Sequence, residues 1–249
     1  MYVVALYSLN YVRLQKSGIE SMPLTRSYQL VKDGVVQVLA LNGQNPISSG
    51  SGSVIGNGNV VLTCAHCVIP GAQMAIADPN RPGQAMLGNT IFQDQAADIA
   101  LIEFPRAVGR SVTLANSVGC AIGNGAFVAG YPMGVTEQVL FSAHIASITP
   151  SHLRIDASVN HGNSGGPLFN MAGEQIGVVN AKHGSLSTFL NQIQNARPGA
   201  AIVVGGINPV QVIQALIAEM QKNLNLGIGY AVPTARIKPL HATLGALIP

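Results

Sequence analysis

Apolar residues fall in short runs along this chain, each closed by glycine, asparagine or proline. Val35 to Leu41 is one such run, ended by Asn42 and Gly43. Ser51 to Ile55 and Val60 to Thr63 flank Gly56-Asn57-Gly58-Asn59, a composition that supplies the backbone angles a tight hairpin demands. Thr90 to Phe92 and Ile99 to Phe104 follow. Further on come Ala126 to Ala129, Val139 to Ile148, Leu153 to Ala157, Gln175 to Ala181 and Ile228 to Val232. Many short strands with glycine-rich turns predict an all-β barrel or sandwich. The stretch from Pro105 to Gly119, with Arg106 and Arg110, reads as an exposed connection between two halves.

One segment breaks the β pattern. Asn208 is a helix cap and Pro209 suits a first turn. Val210, Ile213, Leu216, Ile217, Met220 and Leu224 then recur at helical spacing, and Gly227 stops the run. Upstream, Leu186, Phe189, Leu190 and Ile193 predict a shorter helix, ended before Arg197-Pro198-Gly199. The predicted helical insertion covers about residues 185–226. Its apolar stripe must pack on the chain's own barrel, on a sister subunit or on an activating protein partner.

Hydrophobic residues make up 48% of the 249 residues and charged residues 9%. A sizeable core is therefore available, and the surface must be covered largely by small polar residues. The net charge of +3 is small and scattered, so nucleic acid is not an expected partner. Uncharged stretches such as Ser111 to Thr136 are interrupted by Gly, Pro and Asn, and no membrane span is expected. The apolar start, Tyr2 to Leu9, precedes its basic residues Arg13 and Lys16, the reverse of a secretory leader. Three cysteines, Cys64, Cys67 and Cys120, without such a leader predict a reducing, cytoplasmic location. Cys64 and Cys67 form a C-x-x-C pair around Ala65 and His66, open to a redox or zinc reading. No second pair stands at zinc-ligand spacing, so neither a metal nor another cofactor is expected.

The chemistry concentrates in three places. Asn160-His161-Gly162-Asn163-Ser164-Gly165-Gly166-Pro167-Leu168 sets a serine between glycines. Such a turn exposes a hydroxyl and aims N–H groups from Gly162, Asn163 and Ser164 toward one concavity. His66 follows the apolar run Val61 to Thr63, at a barrel rim. Asp98 opens Asp98-Ile99-Ala100-Leu101-Ile102. Hydroxyl, imidazole and carboxylate are the nucleophile, base and orienting acid of acyl transfer. Each is commonplace alone, since a Gly/Ser loop, a rim histidine and a strand-capping aspartate all have structural uses. Their order His, Asp, Ser is what raises them.

In that order, the sequence resembles the trypsin/chymotrypsin superfamily, and within it the HtrA/Deg-type branch. Gly50-Ser51-Gly52-Ser53-Val54-Ile55 resembles that branch's entry strand. Asp98 to Leu101, Asp156 to Asn160 leading into Gly162 to Leu168, and Gly227 to Pro233 resemble its aspartate, serine and closing-strand motifs. Gly130-Tyr131-Pro132 fits a turn in its second barrel. The resemblance implies two packed six-stranded antiparallel β-barrels, and the helical insertion then departs from it, standing in the second barrel where a short loop is usual. It divides the chain into an arm over 1–30, a first barrel over 31–110, a second over 111–240 and a tail over 241–249. No PDZ module is expected after residue 240. It also implies that Cys67 faces the neighbourhood of Gly50, which cannot pair with it, so that Cys67 is free.

The same resemblance implies a serine endopeptidase with His66, Asp98 and Ser164 as its triad and a protein or peptide substrate. Enzymes of this superfamily that cut after Lys or Arg carry an aspartate where this chain has Ser158, so a small or medium apolar residue is expected at the cleaved position. Val178, Val179, Asn180 and Ala181 are expected to pair with the substrate backbone. His161, Lys182 and His183 are read as rim residues. The alternative is a latent or non-catalytic peptide-binding protein of the same fold, docked to a partner through the insertion.

Overall fold

The computed structural model describes residues 23–77, 83–133, 135–160, 162–180, 209–210, 212–216 and 227–249. Two closed antiparallel barrels of six strands each account for most of them. The first is built from β1 (Val35–Asn42), β2 (Asn45–Ile55), β3 (Val60–Thr63), β4 (Gln73–Ala77), β5 (Ala85–Asp94) and β6 (Ile99–Glu103). The second uses β7 (Gly125–Gly130), β8 (Val139–Ile148), β9 (Leu153–Ile155), β10 (Pro167–Asn170), β11 (Gln175–Val179) and β12 (Gly229–Pro233). Neighbours run β1-β2-β3-β6-β5-β4 in one and β7-β8-β9-β12-β11-β10 in the other. The connectivity is the same twice over, although the two halves carry no sequence repeat strong enough to use.

The barrels share a core. Val60, Leu62, Ile99 and Leu101 of the first pack in one cluster with Phe127, Ala129, Phe169, Val178 and Val232 of the second. Intervening residues such as Val61 and Ile102 point into the first barrel's own interior. β3 and β6 are thus buried on both faces, which is why Val60-Val61-Leu62 and Ile99 to Ile102 run apolar without alternation. Phe127 and Phe169 stack across the β7–β10 pair with ring centroids 5.1 Å apart. The β2–β3 hairpin turns at Gly56 and Gly58, whose φ angles of 63° and 88° only glycine adopts without strain.

Strand positions predicted from periodicity recur, with longer bounds at β2 and β5. β4 and β10 add strands that the pattern did not single out. Residues 24–30, placed in an arm, form helix α1 (Leu24–Val31) together with Val31. Leu24, Tyr28 and Val31 recur at helical spacing and face the shared core. Ser27 Oγ donates to Met171 O at 2.6 Å, docking α1 on the β10–β11 turn of the second barrel. Residues 1–22 lie outside the described residues.

Residues 241–249, placed in a tail, are structural too. α2 (Thr234–Ile237) follows β12, and α3 (Ala242–Leu247) returns to the first barrel. Leu244 and Ile248 are buried in the shared core. Arg236 bridges the halves, donating to Ala96 O at 2.9 Å and Ser151 O at 3.2 Å. Most of the predicted insertion lies outside the described residues. Positions 209–210 and 212–216 within it are helical.

Leu244→Ala removes a fully buried side chain from the shared core. It is expected to cost about 2–5 kcal/mol and to lower the midpoint of a calorimetric melt by several degrees. Val118→Ala, at a side chain that is 79% exposed, is expected to leave the melt unchanged. Equal melts for both would contradict the packing of α3.

Candidate active site

β3 ends at Thr63 and the chain turns through a short 3-10 segment, Ala65–Cys67. That turn holds His66 at the rim of the first barrel. Asp98 sits just before β6, which pairs with β3, so the two side chains meet at the same rim. The Asp98 carboxylate takes His66 in a fork. Its Oδ1 accepts the His66 backbone N–H at 2.9 Å, and its Oδ2 lies 2.7 Å from Nδ1. Asn180 Nδ2 donates to the same Oδ2 at 2.7 Å from the second barrel. With Nδ1 committed to Asp98, Nε2 is the ring nitrogen left for other chemistry.

Asp98 has φ 56°, the one positive value at a non-glycine among the described residues. This conformation costs an ordinary L-residue about 1–2 kcal/mol, and a short polar side chain tolerates it best. Asp94 shapes the same turn by accepting the Ala97 N–H at 2.8 Å. The hydrogen bonds from His66 and Asn180 hold the residue there. The pattern Asp-Ile-Ala-Leu gives no sign of this backbone conformation.

Ser164 is 5% exposed and lies between Gly162 and Gly165, whose φ angles are 93° and 83°. A Cβ on Gly165 would stand 2.1 Å from Thr63 Oγ1 and 2.9 Å from Cys64 N. The serine loop therefore presses directly on the residues leading into His66. Ser164 O accepts the Ser51 N–H at 2.8 Å and faces Cys67 Sγ at 3.5 Å. Gly162 fits just as closely, since a Cβ there would lie 2.4 Å from Met133 N. The Asn163 N–H donates to Asn160 O at 3.0 Å, so it is spent within the turn. The Asn163 side chain is fully buried, with no hydrogen-bond partner among the described residues. His161 lies outside the described residues.

The expectation that Val178 and Val179 pair with a substrate needs correction. Both are fully buried, Val178 in the shared core and Val179 inside the second barrel. Val178 is registered against Pro167 and Val232, and Val179 against Ala231. Val179 N donates to Gly166 O, and Val179 O accepts the Gly165 N–H, each at 2.8 Å. No free edge remains there for a peptide. The Asn180 N–H is likewise held, by Tyr230 O at 2.8 Å, and its side chain serves Asp98. Ala181, Lys182 and His183 lie outside the described residues. Ser158 is exposed beside the loop that leads to Ser164. Asp156 turns to the surface, where its carboxylate accepts the His144 N–H at 2.5 Å and meets His144 Nδ1 at 3.1 Å. The bond from that N–H leads the effects that hold its carboxyl below the usual range.

The three cysteines are free thiols. A Cβ at Gly50 would fall 2.8 Å from Cys67 Sγ, so position 50 does face Cys67 and has no sulfur to offer. Cys64 Sγ donates to Val179 O at 3.2 Å, and its ligand atom lies within 4.8 Å of those of His66 and Asp98. Two donors on one tetrahedral zinc stand about 3.3 Å apart when its bonds are about 2.0 Å long. The 2.7 Å between Nδ1 and Oδ2 is a proton-sharing distance instead.

A family model described as a trypsin-like peptidase domain matches residues 50–178, which spans all three motifs. The serine-protease homologue HhoA of Synechocystis sp. is 33% identical over 145 residues, covering 53% of this chain and 36% of that protein. Serine protease HTRA1 of Xenopus tropicalis is 29% identical over 159 residues, covering 55% of this chain and 32% of its own length. The chain thus spans about a third of the relatives it matches. Among solved structures, the serine endoprotease from Yersinia pestis superposes with a TM-score of 0.63 at 22% identity, covering 90% of this chain and 66% of that one. That likeness concerns the fold.

Burial pushes the Cys64 thiol well up, with Cys67 and Asp98 adding to it. Cys64 is fully buried and Cys67 is 7% exposed, whereas Cys120 is half-buried. Burial raises the Cys120 thiol as well. Iodoacetamide at mildly alkaline pH is expected to alkylate Cys120 first, and the other two only after denaturant is added. Peptide mass spectrometry reads the order, and early loss of Cys64 would contradict its placement behind Asp98.

Proposed function

Because the chain belongs to the trypsin-like peptidase family, we propose that it is a serine endopeptidase whose triad is His66, Asp98 and Ser164. The observation that carries this reading is the forked Asp98–His66 contact beside the tightly packed Ser164 loop. Asp98 holds imidazole in the tautomer with hydrogen on Nδ1. His66 Nε2 takes the Ser164 proton as Oγ attacks the scissile carbonyl. The Gly162 and Ser164 N–H groups receive the developing oxyanion. His66 then returns the proton to the leaving amine, and water hydrolyses the acyl-enzyme with the same base. Asn163 contributes no donor in this scheme, because its N–H is occupied.

Ser158 stands where the lysine- or arginine-cutting members carry an aspartate, and Asp156 is committed to His144 at the surface, so neither position supplies a carboxylate for a cationic side chain. The preferred substrate is therefore a polypeptide cut after a small or medium apolar residue. Beyond the occupied edge at Val179, the Asn180 carbonyl and Ala181 are the candidates for pairing with the peptide backbone. Within the predicted insertion, the exposed apolar side chains of Val212, Ile213 and Leu216 are offered to a sister subunit or a protein partner, and a cytoplasmic setting accords with three free thiols.

A fluorophosphonate probe is expected to label Ser164 at neutral pH and to leave the Ser164→Ala variant unlabelled, as read by peptide mass spectrometry. Failure to label Ser164 in folded protein would overturn the assignment. In paired reporter peptides differing at one position, cleavage after Val or Leu is expected to exceed cleavage after Arg by about tenfold or more. Preferential cleavage after Arg would overturn the specificity reading while leaving the triad intact.

A further inference from the structure

Ser51 belongs to β2 of the first barrel, yet its polar atoms serve the loop that carries Ser164. Its backbone N–H donates to Ser164 O at 2.8 Å. Its hydroxyl donates to Gly162 O at 2.7 Å and accepts the Tyr131 N–H at 2.8 Å. Its carbonyl accepts Thr63 Oγ1 at 2.8 Å, three residues ahead of His66. The residue is fully buried. One hydroxyl has one proton, and with Tyr131 N–H as a compulsory donor that proton is directed to Gly162 O.

The consequence is geometric. The two N–H groups assigned to the oxyanion belong to Gly162 and Ser164, and Ser51 grips the carbonyls of those same two residues. The peptide joining Gly162 to Asn163 is pinned at both ends, its C=O by Ser51 and its N–H by Asn160 O. The loop receives no comparable tether from Asn163, whose buried amide is without a partner among the described residues. Gly162 holds φ 93°, where a glycine backbone has freedom that an external hydrogen bond must remove.

We infer that Ser51 is a positioning residue: a first-barrel side chain that sets the two oxyanion N–H groups of the second barrel. The inference rests on the reading of Gly162 and Ser164 given above. Replacing Ser51 by alanine removes the donor for Gly162 O and the acceptor for Tyr131 N in one step. The loop then relaxes, and catalysis loses aim while the binding surface persists. A merely structural serine would affect stability and ligand binding alike, without distinguishing planar from tetrahedral ligands.

The test uses the full chain, the peptide anilide it cleaves best, the matching peptidyl boronate and the cleaved product peptide. The boronate forms a tetrahedral adduct that places an oxygen at the oxyanion position; the product does not. Ser51→Ala is expected to lower kcat about 10–100-fold, less than the roughly 100–1,000-fold seen when an oxyanion donor itself is lost, and to weaken the boronate by a similar factor. KM and product binding are expected to stay within about twofold, since ground-state contacts are untouched. Ser53→Ala, which on the same strand deletes a buried hydroxyl with no hydrogen-bond partner among the described residues, is expected to behave as wild type. Gly130→Ala gives a second route should Ser51→Ala fail to fold. Its Cβ would press on Ser51 Oγ at 2.8 Å and Asn163 Oδ1 at 2.9 Å, and the same split between boronate and product is expected. Unchanged kcat and boronate affinity, or equal losses for boronate and product, would overturn the role of Ser51 alone. A wild-type protein that neither cleaves the anilide nor takes the boronate would overturn the Ser164 reading along with it.

Discussion

The Asp98 carboxylate accepts hydrogen bonds from both barrels at once, from His66 in its own and from Asn180 in the other. A carboxylate so placed, in a strained backbone conformation, requires that the barrels stay in register to within a hydrogen-bond length. Apolar packing supplies that register. The shared cluster joining Leu62 and Leu101 to Phe127, Phe169 and Val178 is continuous across the seam, and close-packed interiors resist sliding. Hydrogen bonds give direction to a fit that burial makes stable.

The seam is also secured at its ends. α1 leaves the N-terminal side of the first barrel and docks on the β10–β11 turn. The C-terminal segment makes the reverse journey, from β12 to the first barrel, with Arg236 bonded to the turn that leads into Asp98 and to the β8–β9 turn. Each barrel thus carries a strap from the other, and the two loops that converge on Ser164 and His66 have little room to separate. Small residues permit the approach. At position 165 a single added carbon would collide with Ser51 and Cys64 backbone across the seam, and at positions 50 and 162 it would collide with a thiol or with backbone of the same barrel.

Ten of the strand positions, the hairpin at Gly56 to Asn59, and the three motifs around His66, Asp98 and Ser164 were legible because each has a local signature. Glycine at a turn and an apolar run in a strand are properties of adjacent residues. α1 carried a signature as well, in the spacing of Leu24, Tyr28 and Val31, although a single weak turn of periodicity does not stand out beside a chain full of strands. β4 and β10 are short strands whose identity comes from the neighbours that close each barrel. The role of Val178 and Val179 was misjudged for a related reason. An apolar strand near the site looks available to a peptide until both of its edges are seen to be paired.

By itself the sequence determined the fold class and which residue types were available for acyl transfer, because turn chemistry, strand periodicity and motif order act over a few residues. Tertiary structure alone decided that Asp98 adopts a left-handed backbone, that Asn180 serves it, that the Asn163 N–H is consumed, and that Ser51 holds the loop of the opposite barrel. The Asn163 bond closes a local turn, but the others join residues separated by 32 to 113 positions. No local pattern encodes such distances; they are set only when two barrels bury a common core and bring their rims to hydrogen-bond range.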